Sequence, residues 1–139
     1  MTHIDNSLLR RWFTDVWNEG HESAIDKYMD SQVVIEDKNP PAIFIGTDHV
    51  KDVFKSLRKE FKKLHFKVGE VTIEGDMQET KSVVITATYG DGDESIIIEG
   101  PARIRVKNDK IIWASNDFDL RLIEKKGSLG LDNRFETVI

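Results

Sequence analysis

Residues 83–106 read VVITATYGDGDESIIIEGPARIRV, and this stretch decides the fold. Val83, Ile85, Ala87 and Tyr89 share one parity, the period-2 signature of a strand with a buried face. Gly90-Asp91-Gly92-Asp93 turns the chain. Ile96, Ile98, Gly100, Ala102, Ile104 and Val106 then mark one face of a second strand, which Gly100-Pro101 is expected to interrupt. The same pattern extends outward on both sides. Upstream, Leu64, Phe66 and Val68 alternate, and Val71 and Ile73 continue in the opposite parity, so a β-bulge is expected at Gly69-Glu70. Gly75-Asp76 supplies the next turn. Downstream, Lys107-Asn108-Asp109-Lys110 is a turn, and a last strand is expected from about Ile111 to Glu124. Long antiparallel strands with bulges and glycine kinks make a strongly curved sheet.

The first half of the chain is helical in pattern. Leu8, Leu9, Trp12, Phe13, Val16 and Trp17 form one apolar stripe, predicting a helix from about Asn6 to Asn18 that stops at Asn18 and Gly20. A short helix over about Glu22 to Met29 turns Ile25, Tyr28 and Met29 inward. Val33, Val34 and Ile35 read as a brief strand, and Asn39-Pro40-Pro41 is expected to end regular pairing because proline has no donor. Thr47-Asp48 opens a third helix that buries Val50, Val53, Phe54, Leu57 and Phe61. Its basic residues, Lys51, Lys55, Arg58 and Lys59 among them, read as a solvated flank. Helices first and strands second make an α+β protein. A curved sheet wrapped around three helices leaves a pocket wherever the helices do not fill its concave face.

With 139 residues, the chain is one domain by length, large enough for its own core. The 20 Lys+Arg against 25 Asp+Glu give a net charge of -5, which argues against a general nucleic-acid binder. There is no cysteine, which removes disulfides, thiolate metal sites and a Cys nucleophile. No apolar run approaches the ~20 residues of a membrane helix, and Met1 to Ser7 lacks the features of a signal peptide. A cytoplasmic protein with no membrane partner is expected. His21-Glu22, Asp48-His49 and His65 show no metal-ligand spacing, so neither metal nor cofactor is expected.

The order of elements resembles the NTF2-like, cystatin-like cone fold, and several motifs resemble its SnoaL-like family. Trp17-Asn18-Glu19-Gly20-His21 looks like the "WN-x-G-D/H" turn after the first helix. Gly46-Thr47-Asp48-His49-Val50 looks like the start of the third helix. Phe61-Lys62-Lys63-Leu64-His65-Phe66 resembles the "F-P-D-L-H-F" join, with two lysines replacing Pro and Asp. Asn108-Asp109-Lys110-Ile111, followed by Trp113 and Asp117, resembles "D-G-K-I" and "W-x-x-x-D". The resemblance covers about residues 6 to 126. A single SnoaL-like domain is therefore expected over 1–126, with 127–139 a tail that is mobile or docks on a partner. The superfamily includes polyketide cyclases, ketosteroid isomerases, epoxide hydrolases, dehydratases and non-catalytic binding domains, so residues must decide the function.

The resemblance implies that Asp117 is a general acid/base and that His65 assists it. A carboxylate in an apolar pocket is disfavoured as an anion, which moves its proton affinity toward the working range. Asp119 has the same parity as Asp117 and is the alternate. Trp17, Tyr28, Tyr89, Trp113, Asn116 and Asp119 are expected to line the pocket. Glu36 and Asp37 lie near the carboxylate base of ketosteroid isomerases but read as surface groups at a strand end. The two oxyanion donors of those enzymes fall at Phe13 and near Ala102, so that chemistry is not expected. His49 reads as a solvated residue at a helix start. The expected partner is a small apolar carbonyl compound, acted on by isomerisation, cyclisation or dehydration. The competing reading is a non-catalytic ligand-binding or dimerisation module. The family's habit of pairing through the outer sheet face implies a homodimer, with Ile97 and Trp113 as candidate outer residues.

Overall fold

The computed structural model describes residues 7–38, 41–61, 63–89 and 94–117. The expected tail over 127–139 and residues 118–124 of the expected last strand lie outside these residues, and among the described residues that strand ends at Asn116. Helix α1 (Leu8–Arg11) starts at Ser7, whose hydroxyl accepts from the Arg10 N–H at 3.2 Å. It runs directly into a π-helical stretch (Trp12–Asn18) that buries Trp12, Phe13, Val16 and Trp17. The apolar stripe is therefore wound more loosely than the α-helix expected over it, a deviation that recurs at functional sites. Helix α2 (Ala24–Tyr28) and helix α3 (Asp48–Glu60) complete the helical side.

Seven strands form one sheet: β1 (Met29–Lys38), β2 (Pro41–Ile45), β3 (Lys63–Val68), β4 (Val71–Glu74), β5 (Met77–Tyr89), β6 (Glu94–Lys107) and β7 (Lys110–Asn116). Their order is β2-β1-β7-β6-β5-β3, with β4 also pairing β5. All pairs are antiparallel except β1 with β7. Fold class α+β is as the sequence implies, and the curved sheet holds the helices on its concave face.

Four local expectations change. β1 has ten residues rather than three, because both its edges are paired, to β2 and to β7. Pro41 does not end pairing: it opens edge strand β2 opposite Lys38, a position proline tolerates. The irregularity foreseen at Gly69 falls on the partner strand, where β5 shifts register between Thr80 and Val83. The Gly69 N–H donates to the Ser82 carbonyl there at 2.8 Å. Pro101 does not break β6, because it sits opposite that same shift and at the point where β7 ends.

Asn108 and Asp109, both at positive φ (53° and 61°), form the two-residue turn between β6 and β7. This geometry matches the right-handed twist of the strands they join. The core lies between α1, the π-helical stretch, α3 and the concave sheet face, with Leu9, Ile25, Ile85 and Ile111 among its most buried side chains. Among the described residues, no helix is long and apolar enough to cross a membrane.

Two polar clamps hold the helices against the sheet. Asn18 closes the π-helical stretch and pairs with edge strand β3: its Nδ2 donates to the Phe66 carbonyl at 2.8 Å, and its Oδ1 accepts from the Phe66 N–H at 2.6 Å. Arg10 donates to the Val68 and Gly69 carbonyls at 3.1 and 2.6 Å. The basic side of α3 also binds within the fold. Lys51 pairs with Asp26 at 2.9 Å, Lys55 with Glu22 at 3.5 Å, and Arg58 donates to the Trp17 carbonyl at 2.9 Å.

Candidate functional site

The helices leave a cavity of about 80 Å³ inside the cone. Leu9, Trp12, Phe13 and Trp17 line it from the first helical segment. Val50, Val53 and Leu57 line it from α3, and Phe66, Ile85, Ile104 and Ala114 from the sheet. Against this apolar lining stand three polar side chains, Asp37, His49 and Asn116.

The fold brings those three together from separate elements. Val33, Ile35 and Asp37 share one parity of β1, and Val33 and Ile35 are buried, so Asp37 also points inward. Asp37 and Asn116 are register partners across the parallel β1–β7 pair. His49, near the start of α3, brings its Nε2 to 3.8 Å from the Asp37 Oδ2. The side chains of His49 and Asp37 are 29% and 18% exposed, so both sit at the cavity mouth rather than on the open surface. Phe44 of β2 stacks on the His49 ring, with centroids 3.5 Å apart and planes 6° from parallel.

Chemically, a carboxylate accepts a proton or a hydrogen bond, while the imidazole and the amide can each donate and accept. Such groups act more strongly beside an apolar wall than in water. Among the described residues, no group of three His, Cys, Asp or Glu is placed to hold a metal.

Of the residues singled out from the sequence, Trp17 and Asn116 line the cavity. Asp117 is exposed, one residue beyond β7, and its N–H donates to the Pro101 carbonyl at 3.2 Å. Because Asn116 faces inward, its neighbour faces away. His65 is exposed for the same reason: Phe66 takes the concave parity. Tyr28 is buried beneath the first helical segment, and its O–H donates to the Asp15 carboxylate. Trp113 is half-buried on the outer face, with the guanidinium groups of Arg103 and Arg105 at 5.7 and 5.8 Å from its ring. The side chain of Tyr89 and all of Asp119 lie outside the described residues.

Asp37 and His49 were read from the sequence as surface groups, and the structure places both in the cavity lining. A signal for Asp37 was present in the alternation Val33, Ile35, Asp37. His49 and Val53, four apart on α3, share a helix face. Phe13 and Ala102, where a steroid isomerase would carry its oxyanion donors, are buried and cannot donate. The polar groups of this cavity come instead from β1, β7 and α3.

A cone-shaped sheet with an apolar cavity and a few convergent polar groups defines a small-molecule pocket fold of the NTF2-like kind. The model of the SnoaL-like domain matches residues 9–114, and the chain belongs to the SnoaL-like family. Solved structures share the fold. A Catenulispora acidiphila protein with a ketosteroid isomerase-like fold, in complex with trimethylamine, superposes with a TM-score of 0.73 at 12% identity, covering 93% of this chain and 98% of that one. A Jannaschia protein assigned as a SnoaL-like polyketide cyclase gives 0.68 at 16% identity, covering 88% and 96%. An Acidithiobacillus ferrooxidans protein assigned as a polyketide cyclase gives 0.69 at 20%, covering 89% and 96%. A search of curated proteins finds no match to this sequence.

Proposed function

We propose that this protein is a small-molecule enzyme of SnoaL-like type in which Asp37 moves a proton on an apolar carbonyl compound. The observation that carries this reading is the Asp37 carboxylate at the mouth of an apolar cavity, 3.8 Å from the His49 Nε2 and in register with Asn116. In the proposed step, Asp37 takes a proton from the carbon next to the carbonyl. The C–H electron pair becomes the enolate double bond, and the carbonyl oxygen takes the negative charge. The Asn116 amide and a His49 N–H donate to that oxygen. Returning the proton at a different carbon is an isomerisation, and attack of the enolate carbon on a second carbonyl is a cyclisation. These residues supply the acid, the base and the oxyanion donors, so the proposed step calls on no cofactor.

The family membership and the polyketide cyclase assignments of structural relatives support a small-molecule role. The trimethylamine complex of one relative supports a ligand within this fold. The second reading, a non-catalytic binding module, draws on the apolar inner lining, where Phe13 offers no oxyanion donor. We place the protein in the cytoplasm and as a homodimer through the outer sheet face.

The deciding experiment is exchange of the α-protons of cyclohexanone into D2O, followed by NMR. The wild-type protein is expected to accelerate exchange over buffer, and Asp37→Asn to lose about 10²-fold or more of that acceleration with its melting temperature kept. Ligand binding with no wild-type acceleration would favour the binding module.

A further inference from the structure

We infer that the cavity takes a single-ring hydroxy or oxo compound, oxygen edge outward, and that Trp17 sets this size limit. The inference rests on the reading of the cavity as the ligand site. An enclosed engineered cavity of about 150 Å³ holds one benzene. The cavity here has about 80 Å³, roughly half of that. One ring therefore enters only part way, with its far edge in the mouth beside Asp37, His49 and Asn116. That edge must present a proton to the Asp37 carboxylate, from an O–H or from a C–H next to a carbonyl, and an acceptor oxygen to the His49 or Asn116 N–H groups. A ring hydroxyl does both, and so does a ring ketone with its adjacent C–H.

A second fused ring exceeds the volume of the cavity and enters only if a bulky lining side chain such as Trp17 gives way. The Trp17 ring lies 6.2 Å from Trp12, 5.6 Å from Phe54 and 5.5 Å from Phe66, centroid to centroid. These neighbours belong to the same helical stretch, to α3 and to β3, so the indole is held from three sides. Its backbone is held as well, through the 2.9 Å bond from Arg58 to the Trp17 carbonyl. In a close-packed interior, such a side chain does not swing aside without displacing its neighbours.

The test titrates the full-length protein with phenol and with 2-naphthol, followed by backbone amide NMR. Phenol is expected to shift the amides of Val50, Ala114 and Asn116, and 2-naphthol to bind at least about tenfold more weakly. Trp17→Phe is expected to remove that preference by letting 2-naphthol bind as tightly as phenol. Contacts between phenol ring protons and the Trp17 indole in the wild-type protein check the same point without a variant. Equal binding of the two probes by wild type, an unchanged preference in Trp17→Phe, or phenol bound away from Trp17 would overturn the size limit alone. If neither probe disturbs the cavity amides, the cavity is not a ligand site, and the proposed function falls with the inference.

Discussion

At the residue scale, Asp37 shows how close a cavity-lining carboxylate lay to legibility. Its parity follows from Val33 and Ile35, both buried. What hid it was the run Asn39-Pro40-Pro41, which suggested that the strand had already ended. Asp117 shows the opposite case: its place in a familiar motif was readable, but its direction was not. Direction depends on which face of β7 is concave, and only the long-range pairing with β1 and β6 settles that.

Tyr28 carries a prediction at this scale. Its phenol is held above the ordinary tyrosine range, first by donating to Asp15 and then by burial. A raised folded-state value means that folding favours the neutral phenol. The contribution is complete below the ordinary value and is lost as pH rises through the raised one. Tyr28→Phe is expected to cost about 1 kcal/mol at neutral pH and to lessen the alkaline loss of stability, read from urea midpoints across the pH range. An unchanged alkaline profile would count against this bond.

At the element scale, the positions of the helices were readable from apolar spacing, but the π winding of 12–18 was not. Apolar residues at 8, 9, 12, 13, 16 and 17 suit either winding, and the choice falls to packing against β3. Asn18 fixes that choice by bonding twice to the backbone of Phe66. Asn18→Ala leaves an edge strand with an unmatched donor and acceptor. The expected cost is about 1–3 kcal/mol, together with faster hydrogen exchange at the Phe66 amide. Exchange at Phe66 as slow as in wild type would show that the clamp is dispensable. Strand β2 was missed because prolines were read as breaks, although an edge strand accepts one at its first position.

Across the molecule, the α+β architecture was legible because helical and alternating patterns occupy separate halves of the chain. The pocket was expected too, with Trp17 and Asn116 in its lining, but its polar mouth was not, because it joins residues 37, 49 and 116, which no local pattern relates. The outer face carries exposed Ile97 and half-buried Trp113. If it joins two copies, light scattering should give a dimer for the wild type, and Ile97→Asp should give a folded monomer. A wild-type monomer would remove the dimer from the account.

The central claim is that proton transfer belongs to Asp37. Its most direct measurement compares cyclohexanone α-proton exchange in three proteins: wild type, Asp37→Asn and Asp117→Asn. The account predicts that Asp37→Asn loses about 10²-fold or more of the acceleration while Asp117→Asn stays close to wild type. Full activity in Asp37→Asn with loss in Asp117→Asn would contradict it, and would return the chemistry to the end of β7.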